Sequence, residues 1–323
     1  MNSIAQPSST FLAAVVDVVR RHNGLTGKQI ISVARQFVDP SDPVHGPGDD
    51  AAIVEIDGRL VVACGEAISP LFVRKDPYGA GIAAVLANVN DVAAMGGVPR
   101  GIVNTVVGPR YVVTEVMRGM KHAAQMYDVP IIGGHVTESD GDASLSAFAV
   151  GEAKRVLSMA NVRAGQALML ACSLDGTMRK DFPFFTTLER QGATLARDVR
   201  LLAGLAAKGS AVAAKDVSMA GPLGSLAMLL EFTRCGARVD MSKLPMPRGV
   251  DPMRWLVAFP TFAFWITAEP DGKADCVATF ESCGLVCAHV GDVTAGGEVV
   301  LKSDDSRRLL IDLAKESVTG LWA

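Results

Sequence analysis

The order of hydrophobic and polar residues predicts helices at the start of the chain. Apolar residues recur at helical spacing over 11–22 and again over 25–37, with a break at Asn23-Gly24. Proline and glycine are then concentrated over 38–48, which predicts a loop. The chain is therefore expected to begin with a helical segment, residues 1–44, ahead of its first strand.

Strands and helices alternate from there to about residue 155. Residues 50–68 predict two strands joined at Asp57-Gly58, a dipeptide that favours a two-residue hairpin turn. The other elements predicted are helices over 78–97 and 114–128 and strands over 100–108, 129–135 and 143–153. The strand over 129–135 is expected to run into a glycine-rich loop. This pattern predicts an α+β domain over residues 1–155, with the helical segment included.

A second region of similar make-up follows the turn-forming residues 163–168. The predicted elements are a strand over 167–172, mainly helix over 181–214, a helix and a strand within 215–245, a strand over 259–270, a helix over 272–284, strands within 285–301 and a last helix over 304–323. These elements predict a second α+β domain over 156–323.

Composition narrows the class of protein. Charged residues make up 20% of the 323 residues and the net charge is −3, so the chain lacks the basic character of nucleic-acid-binding domains. The six cysteines are scattered without a CxxC pair, which predicts reduced thiols rather than a zinc site. No apolar run reaches the roughly 18–20 residues of a membrane span, and the first residues lack a signal-peptide pattern. We expect a cytoplasmic protein that binds neither nucleic acid nor membrane.

Four carboxylates stand where a hard metal ion would find oxygen ligands. Asp49 and Asp50 are adjacent just before a strand, Glu66 closes the next strand, and Asp91 lies on the long predicted helix. Mg²⁺ prefers oxygen ligands and is commonly shared between one or two carboxylates and substrate phosphates. The hairpin would bring the first three to one end of the sheet, whereas spacing alone does not place Asp91 there. A capped turn at Asp50 and a surface hydrogen bond at Asp91 explain the same pattern.

A glycine pair and a histidine, Gly133, Gly134 and His135, follow a buried strand. Backbone N–H groups at glycines can approach phosphate oxygens closely, and His135 could donate to a phosphate or move a proton. A plain turn with a structural histidine is an alternative explanation. The GxxxxGK[ST] and GxGxxG signatures are absent, so ATP would need a different kind of site.

Taken in order, several motifs resemble the PurM-like ATP-binding superfamily. They are GPGDDAAIV at 46–54, GEAIS at 65–69, AAVLANVNDVAAMGGVP at 83–99, IIGGHVTES at 131–139 and KDVSMAGPLGSL at 215–226. The group includes aminoimidazole ribonucleotide (AIR) synthetase, thiamine-monophosphate kinase, selenophosphate synthetase and a hydrogenase maturation factor. The resemblance extends from about residue 26 to about residue 300, and the NVNDVAAMGGVP block is its most specific part.

The resemblance implies a two-domain PurM-like α+β fold, with ATP and Mg²⁺ in a cleft lined by the acidic motifs. It also implies a homodimer whose N-terminal domains share a β-barrel-like core. It assigns metal binding to Asp49, Asp50, Glu66, Asp91 and Asp216. It assigns nucleotide contacts to Asp49, Asp50, Asn90, Asp91, Gly133, Gly134 and His135. It assigns catalytic roles to Asp91, His135 and Asp216.

The sequence departs from the family pattern at three of these motifs. Glu66 stands where members usually have Asp, and His135 replaces an Asp or Glu found in several of them. Asp216 and Ser218 match the opening of the second domain, but Met219 stands where thiamine-monophosphate kinases continue with another Asp. Residues 1–48 contain no cysteine, which argues against selenophosphate synthetase activity. The sequence ends in TGLWA rather than in the cysteine of the hydrogenase maturation factor, which argues against that activity.

The activity implied is ATP- and Mg²⁺-dependent phosphoryl transfer to, or activation of, a small molecule that the motifs do not identify. In motif, the chain is closest to thiamine-monophosphate kinase and to selenophosphate synthetase-related proteins. The alternative is a non-catalytic ATP-binding paralogue with a regulatory or accessory role, and Met219 is the departure that motivates it. An acidic pocket for another ligand is a third alternative.

Overall fold

A computed structural model describes residues 7–37, 48–304 and 306–322. Contacts divide the chain into two compact units, which are named here by their main sheets. The five-stranded unit contains residues 50–155 and 191–204. The seven-stranded unit contains 156–190, 205–323 and the segment 1–49, which the sequence analysis grouped with the first domain.

The five-stranded unit is an α/β layer built on a mixed sheet. Its strands are β1 (Ala52–Ile56), β2 (Arg59–Ile68), β3 (Gly97–Gly108), β4 (Ile131–Glu138) and β5 (Ser144–Ala153), in the order β1-β2-β5-β3-β4. Its helices are α3 (Pro70–Lys75), α4 (Pro77–Ala94), α5 (Arg110–Tyr127) and the single turn α7 (Leu195–Asp198). The predicted hairpin is confirmed: Ile56 pairs with Arg59, and Asp57 and Gly58 take φ angles of 51° and 75°.

Helices α4 and α5 pack on each other and on one face of this sheet. Their approach is close because a glycine of each helix faces the backbone of the other. A Cβ at Gly81 would lie 2.1 Å from the Val116 carbonyl oxygen, and one at Gly119 would lie 2.0 Å from that of Tyr78. Any side chain at either glycine would force the helices apart.

The other face of the sheet exposes large apolar side chains. Gly65, Phe148, Val103 and Gly133 occupy one register row across four strands, so they point to the same side. Phe148 is 45% exposed, and Val54 and Ile56 of β1 are about equally exposed on that side. Ile132 of the edge strand leans over Gly101 and is 58% exposed.

The seven-stranded unit contains a second mixed sheet. Its strands are β6 (Ala167–Cys172), β9 (Ala213–Asp216), β10 (Gly236–Asp240), β12 (Ala263–Ala268), β13 (Val286–Thr294), β14 (Glu298–Ser303) and β15 (Ser306–Asp312), in the order β15-β14-β10-β13-β6-β12-β9. A small sheet adds β7 (Thr177–Met178), β8 (Phe184–Thr186) and β11 (Phe259–Pro260). The helices described here are α1 (Ser9–Arg21), α2 (Asn23–Thr26), α6 (Leu188–Gln191), α8 (Leu201–Lys208, which begins within 191–204), α9 (Gly221–Glu231), α10 (Pro252–Trp255) and α11 (Lys273–Glu281).

Buried aromatic rings fill the core of this unit. Trp265 of β12 donates its indole N–H to the Pro222 carbonyl oxygen at 2.6 Å, which ties the sheet to the start of α9. Trp255 likewise donates to the Pro245 carbonyl oxygen at 3.0 Å and packs edge-on against Phe185. Among the described residues of both units, no helix combines the length and the hydrophobicity that crossing a membrane requires.

One of the two elements predicted at the ends of the chain was wrong. The last helix over 304–323 is instead strand β15 followed by turns, because Leu310 and Ile311 are buried as β15 pairs with the edge of β14. An apolar run this short does not distinguish a strand from a helix by its spacing. The segment predicted as helical over 25–37 is helical, as a short α-turn, Asn23–Thr26, followed by a 3₁₀ helix, Gly27–Gln36.

Two internal predictions also need correction. The glycine-rich loop after residue 132 is part of β4, where Gly133, Gly134 and His135 pair in parallel register with Val103, Asn104 and Thr105. Residues 181–214 are only partly helical, since β8 and the start of β9 lie within them. The loop predicted over 38–48 falls outside the described residues except at Gly48.

One buried carboxylate fixes the C-terminal segment. Glu231, the last residue of α9, is 3% exposed. Its carboxylate accepts the backbone N–H groups of Val318 at 2.8 Å and Thr319 at 3.1 Å, and the hydroxyl of Ser317. A charged acceptor that receives several donors replaces the hydration it lost on burial.

We expect Glu231→Gln to lower the free energy of unfolding by about 2 kcal/mol or more, because an amide N–H₂ would then face backbone donors. Urea denaturation measures the loss. Glu281→Gln is the matched control, since Glu281 also ends a helix of this unit but is exposed, and it should change little. Equal stability of the two variants would contradict the prediction.

Candidate functional site

Asp50 and Asp91 are brought together in the five-stranded unit. Asp50 lies in the turn before β1, and Asp91 lies in the last turns of α4 with 7% of its surface exposed. A carboxylate oxygen of each lies within 4.8 Å of the other. Spacing alone had not placed Asp91 beside the strand ends, and the packing of α4 on the sheet does so.

The thiol of Cys64 on β2 shows how acidic these surroundings are. Cys64 donates to the backbone and side-chain oxygens of Asn88 at 3.4 and 3.3 Å. Burial raises the pKa of the Cys64 thiol, and the negative charges of Asp91, Glu66 and Asp50 raise it further. The thiol therefore stays protonated, and all three carboxylates lie close enough to Cys64 to disfavour its ionisation.

The sheet aligns Glu66 with the glycine pair. Glu66, Ala147, Asn104 and Gly134 form one register row through β2, β5, β3 and β4. The side chain of Glu66 is exposed at its end of that row. Its binding to a metal stays a prediction.

Asn104 explains why glycine is required at position 134. A Cβ at Gly134 would lie 1.7 Å from the Asn104 side-chain oxygen. The amide nitrogen of the buried Asn104 points to the sulfurs of Met117 and Met120 on α5, at 3.0 and 3.3 Å. Asn104 was missed in the sequence, where it is one polar residue in an apolar strand. Contacts of Gly133, Gly134 and the exposed His135 with a nucleotide stay predictions.

Asp49 has a different environment from its neighbour. Its carboxylate accepts the Ser158 hydroxyl at 2.5 Å and the Met159 backbone N–H at 2.7 Å. These bonds hold the short 3₁₀ helix Met159–Asn161 of the seven-stranded unit. Asp49 therefore caps a distant 3₁₀ helix, and the capping of the strand turn by Asp50 that the sequence analysis considered stays a prediction. Both Asp49 oxygens are engaged, and its binding to a metal stays a prediction.

Asp216 ends β9 in the seven-stranded unit and forms a buried ion pair with Lys215. The loop that follows is fixed by the Ser218 backbone N–H, which donates to the Ser225 hydroxyl of α9 at 3.0 Å. Met219, the departure from the kinase motif, is partly exposed in that loop. Lys215 was also missed, although a lysine within the apolar run AVAAKDV is a visible signal.

The chemistry of the acidic pair fits a hard divalent cation. Its donors are carboxylate oxygens, and Mg²⁺ favours one or two carboxylates with the remaining positions left for water or phosphate oxygens. Two buried or half-buried carboxylates this close repel each other unless a cation offsets the charge. Asp50 and Asp91 could therefore hold Mg²⁺ at the phosphates of a nucleotide.

Two family models match the chain. Residues 48–153 match the AIR synthase related protein, N-terminal domain, and residues 186–304 match the AIR synthase related protein, C-terminal domain. Together they cover most of both units.

The chain is also similar to curated proteins, among them two uncharacterized proteins and a PurL subunit. An uncharacterized protein of Synechocystis sp. is 30% identical over 92% of this chain and 94% of its own length. An uncharacterized protein of Methanocaldococcus jannaschii is 29% identical over 96% of this chain and 99% of its own length. The phosphoribosylformylglycinamidine synthase subunit PurL of Bradyrhizobium sp. is 26% identical over 80% of this chain. The match spans only 38% of that PurL.

Solved structures show the same fold. PurL of T. maritima, complexed with ADP, superposes with a TM-score of 0.75 at 17% identity, over 95% of this chain and 51% of that one. AaThiL, complexed with AMPPCP and TMP, has a TM-score of 0.65 at 19% identity, and the match covers 86% of this chain and 94% of AaThiL. The two-domain PurM-like α+β fold is thereby confirmed, and no closed barrel is present in the described part of the single chain.

The environment of Asp49 predicts a pH dependence of stability. Burial raises its pKa from 3.8 to about 6, and the bonds from Ser158 and Met159 and the charge of Lys215 offset part of that rise. Between about pH 4 and pH 6 the folded protein therefore keeps a proton that the unfolded chain has lost. This contribution to stability is complete below about pH 4 and disappears as the pH rises through about 6.

We expect the unfolding free energy of the wild type to fall by about 2–3 kcal/mol relative to Asp49→Asn between pH 4 and pH 7. Urea denaturation in EDTA at each pH measures the difference, and EDTA removes any contribution from bound cations. Asp140→Asn, at an exposed loop position of the five-stranded unit, should follow the wild-type profile. A wild type that gains stability relative to Asp49→Asn over this range would contradict the assignment.

Proposed function

The chain belongs to the AIR synthase related protein family, and from that premise we propose that it is an ATP- and Mg²⁺-dependent enzyme. In this proposal it transfers a phosphoryl group to a small molecule or activates one with ATP. The observation that carries the proposal is the approach of the Asp50 and Asp91 carboxylates to within 4.8 Å. The nucleotides in the PurL and AaThiL structures support it by analogy of fold.

The residues of the five-stranded unit would act mainly by positioning. Asp91 is held on a buried helix and Asp50 on the turn beside it, so their oxygens are in place before a ligand arrives. Mg²⁺ bound there would neutralise charge on the nucleotide phosphates. We propose Glu66, Asn90, Gly133, Gly134 and His135 as further nucleotide or metal contacts, with His135 donating to phosphate.

Asp216 is proposed as another ligand for a divalent cation, on the strength of its motif and its buried carboxylate. Val217, Ser218 and Met219 follow it, and Met219 stands where thiamine-monophosphate kinases have a second aspartate. The acceptor therefore need not be the thiamine compound. A panel of small acceptors assayed for ADP release separates an enzyme from a paralogue that only binds ATP.

We expect Asp50→Asn and Asp91→Asn each to weaken ATP binding in the presence of Mg²⁺ by at least about tenfold, because a neutral amide is a poorer ligand for the cation. Isothermal titration with ATP, in Mg²⁺ and in EDTA, measures the effect. Asp140→Asn should bind like the wild type. The proposal fails if the wild type shows no Mg²⁺-dependent ATP binding, or if both site variants bind as tightly as it does.

We also propose that the chain forms a homodimer through the exposed face of the five-stranded sheet. Val54, Ile56, Ile132 and Phe148 expose apolar surface there, which is costly to leave in water. A second copy related by a two-fold axis would present the same apolar residues, so the two faces would complement each other. Such pairing would also supply the shared β-barrel-like core that the resemblance implied.

Phe148→Glu should convert this dimer to a monomer, since it would place a charge in an apolar interface. Size-exclusion chromatography with light scattering gives the mass, and circular dichroism checks that the variant is folded. Tyr111→Glu is the control, because Tyr111 is 71% exposed on α5 and belongs to the layer on the opposite side of the sheet. A wild type that is monomeric at all concentrations would refute the proposal.

A further inference from the structure

A lysine is buried beside one of the proposed metal ligands. Lys215 and Asp216 are consecutive on β9, the edge strand of the seven-stranded sheet, and pair in register with Trp265 and Phe264 of β12. Their side chains are only 8% and 4% exposed, and the Lys215 ammonium donates to Asp216 Oδ1. Lysine is seldom buried to this degree unless an anion compensates its charge.

The charge of this ammonium also acts on a second carboxylate of the same unit, that of Asp49. Lys215 stabilises the charged form of Asp49, whose bonds to Ser158 and Met159 fix it beside the 3₁₀ helix Met159–Asn161. That helix packs against β9, and the Asn161 side chain donates to the Val212 carbonyl oxygen at 3.4 Å. The buried ammonium therefore pairs with Asp216 and, to a smaller extent, favours the charged form of Asp49 in the same unit.

We propose that Lys215 is a positioning residue that acts as an internal counter-ion for Asp216. It holds the Asp216 carboxylate in place when no divalent cation is bound, and it competes with such a cation for that carboxylate. The inference rests on the proposed function, in which Asp216 binds a divalent cation. Its consequence is that the lysine lowers the affinity for the cation while stabilising the protein without it.

The competition follows from charge and geometry. An ammonium that donates to Asp216 Oδ1 occupies one of the directions from which a cation could approach that oxygen. A divalent cation bound to Asp216 would also repel the ammonium at short range in a region of low dielectric constant. Each cation must therefore weaken the binding of the other, and this coupling is reciprocal.

Lys215→Met and Lys215→Gln test the proposal, because both keep most of the extended side chain and remove its charge. Thermal denaturation without nucleotide, in EDTA and in increasing Mg²⁺ or Mn²⁺, is the first measurement. In EDTA, both variants should have a lower melting temperature than the wild type. As the cation is added, the melting temperatures of the variants should rise more than that of the wild type, so that the difference shrinks. Isothermal titration with Mn²⁺ alone should show binding at least about fivefold tighter than the wild type's.

Two further variants exclude a purely structural effect. Asp216→Asn added to Lys215→Met removes the carboxylate that the cation would satisfy, so the recovery with Mg²⁺ or Mn²⁺ should disappear. Lys208→Met removes a lysine of the same unit that pairs with Asp275 at 3.4 Å but is 62% exposed. Its response to the cations should match that of the wild type.

The outcomes separate this inference from the function on which it rests. If the wild type binds ATP in a Mg²⁺-dependent way but the Lys215 variants lose stability equally with and without the cation, Lys215 is only a structural residue and the inference is wrong. If the wild type binds neither Mg²⁺-ATP nor Mn²⁺, the proposed function fails as well. Tighter cation binding in both Lys215 variants, lost in the double variant, supports the inference.

Discussion

The close contact of α4 with α5 is the constraint on which the acidic pair depends. Gly81 and Gly119 let each helix touch the backbone of the other, and this fixes how α4 lies over the sheet. Asp91 sits near the end of that helix, so its carboxylate position is set by packing many residues away. A small displacement of α4 would move the carboxylate relative to Asp50 and the strand ends.

Local chemistry made some of these features predictable and left others hidden. The hairpin at Asp57-Gly58 follows from the two positive φ angles that such a turn requires, and α4 follows from its apolar spacing and its glycine end. The different surroundings of Asp49 and Asp50 could not be read locally, because Ser158 lies 109 residues away along the chain from Asp49. The strand through Gly133 and Gly134 also depends on a partner, β3, since glycine alone favours a turn.

The buried charges of the seven-stranded unit show two ways of replacing water. Glu231 is surrounded by backbone and hydroxyl donors, which need no second charge. Asp216 instead has the ammonium of Lys215. Fixed donors such as those around Glu231 suit a purely structural carboxylate, whereas a side-chain cation can be displaced by another cation. Glu231 therefore anchors the C-terminal segment, and a displaceable counter-ion is what the ligand role proposed for Asp216 requires.

The protonated thiol of Cys64 has a consequence for chemical durability. Peroxides and alkylating agents attack the thiolate, and the half-buried, negatively charged surroundings of Cys64 keep that species scarce. A cysteine can therefore lie on β2, two residues before Glu66, without being a ready target for oxidation beside the acidic pair. Its small, weakly polar side chain fills space and bonds to Asn88 of α4, and the carboxylates themselves protect it from damage.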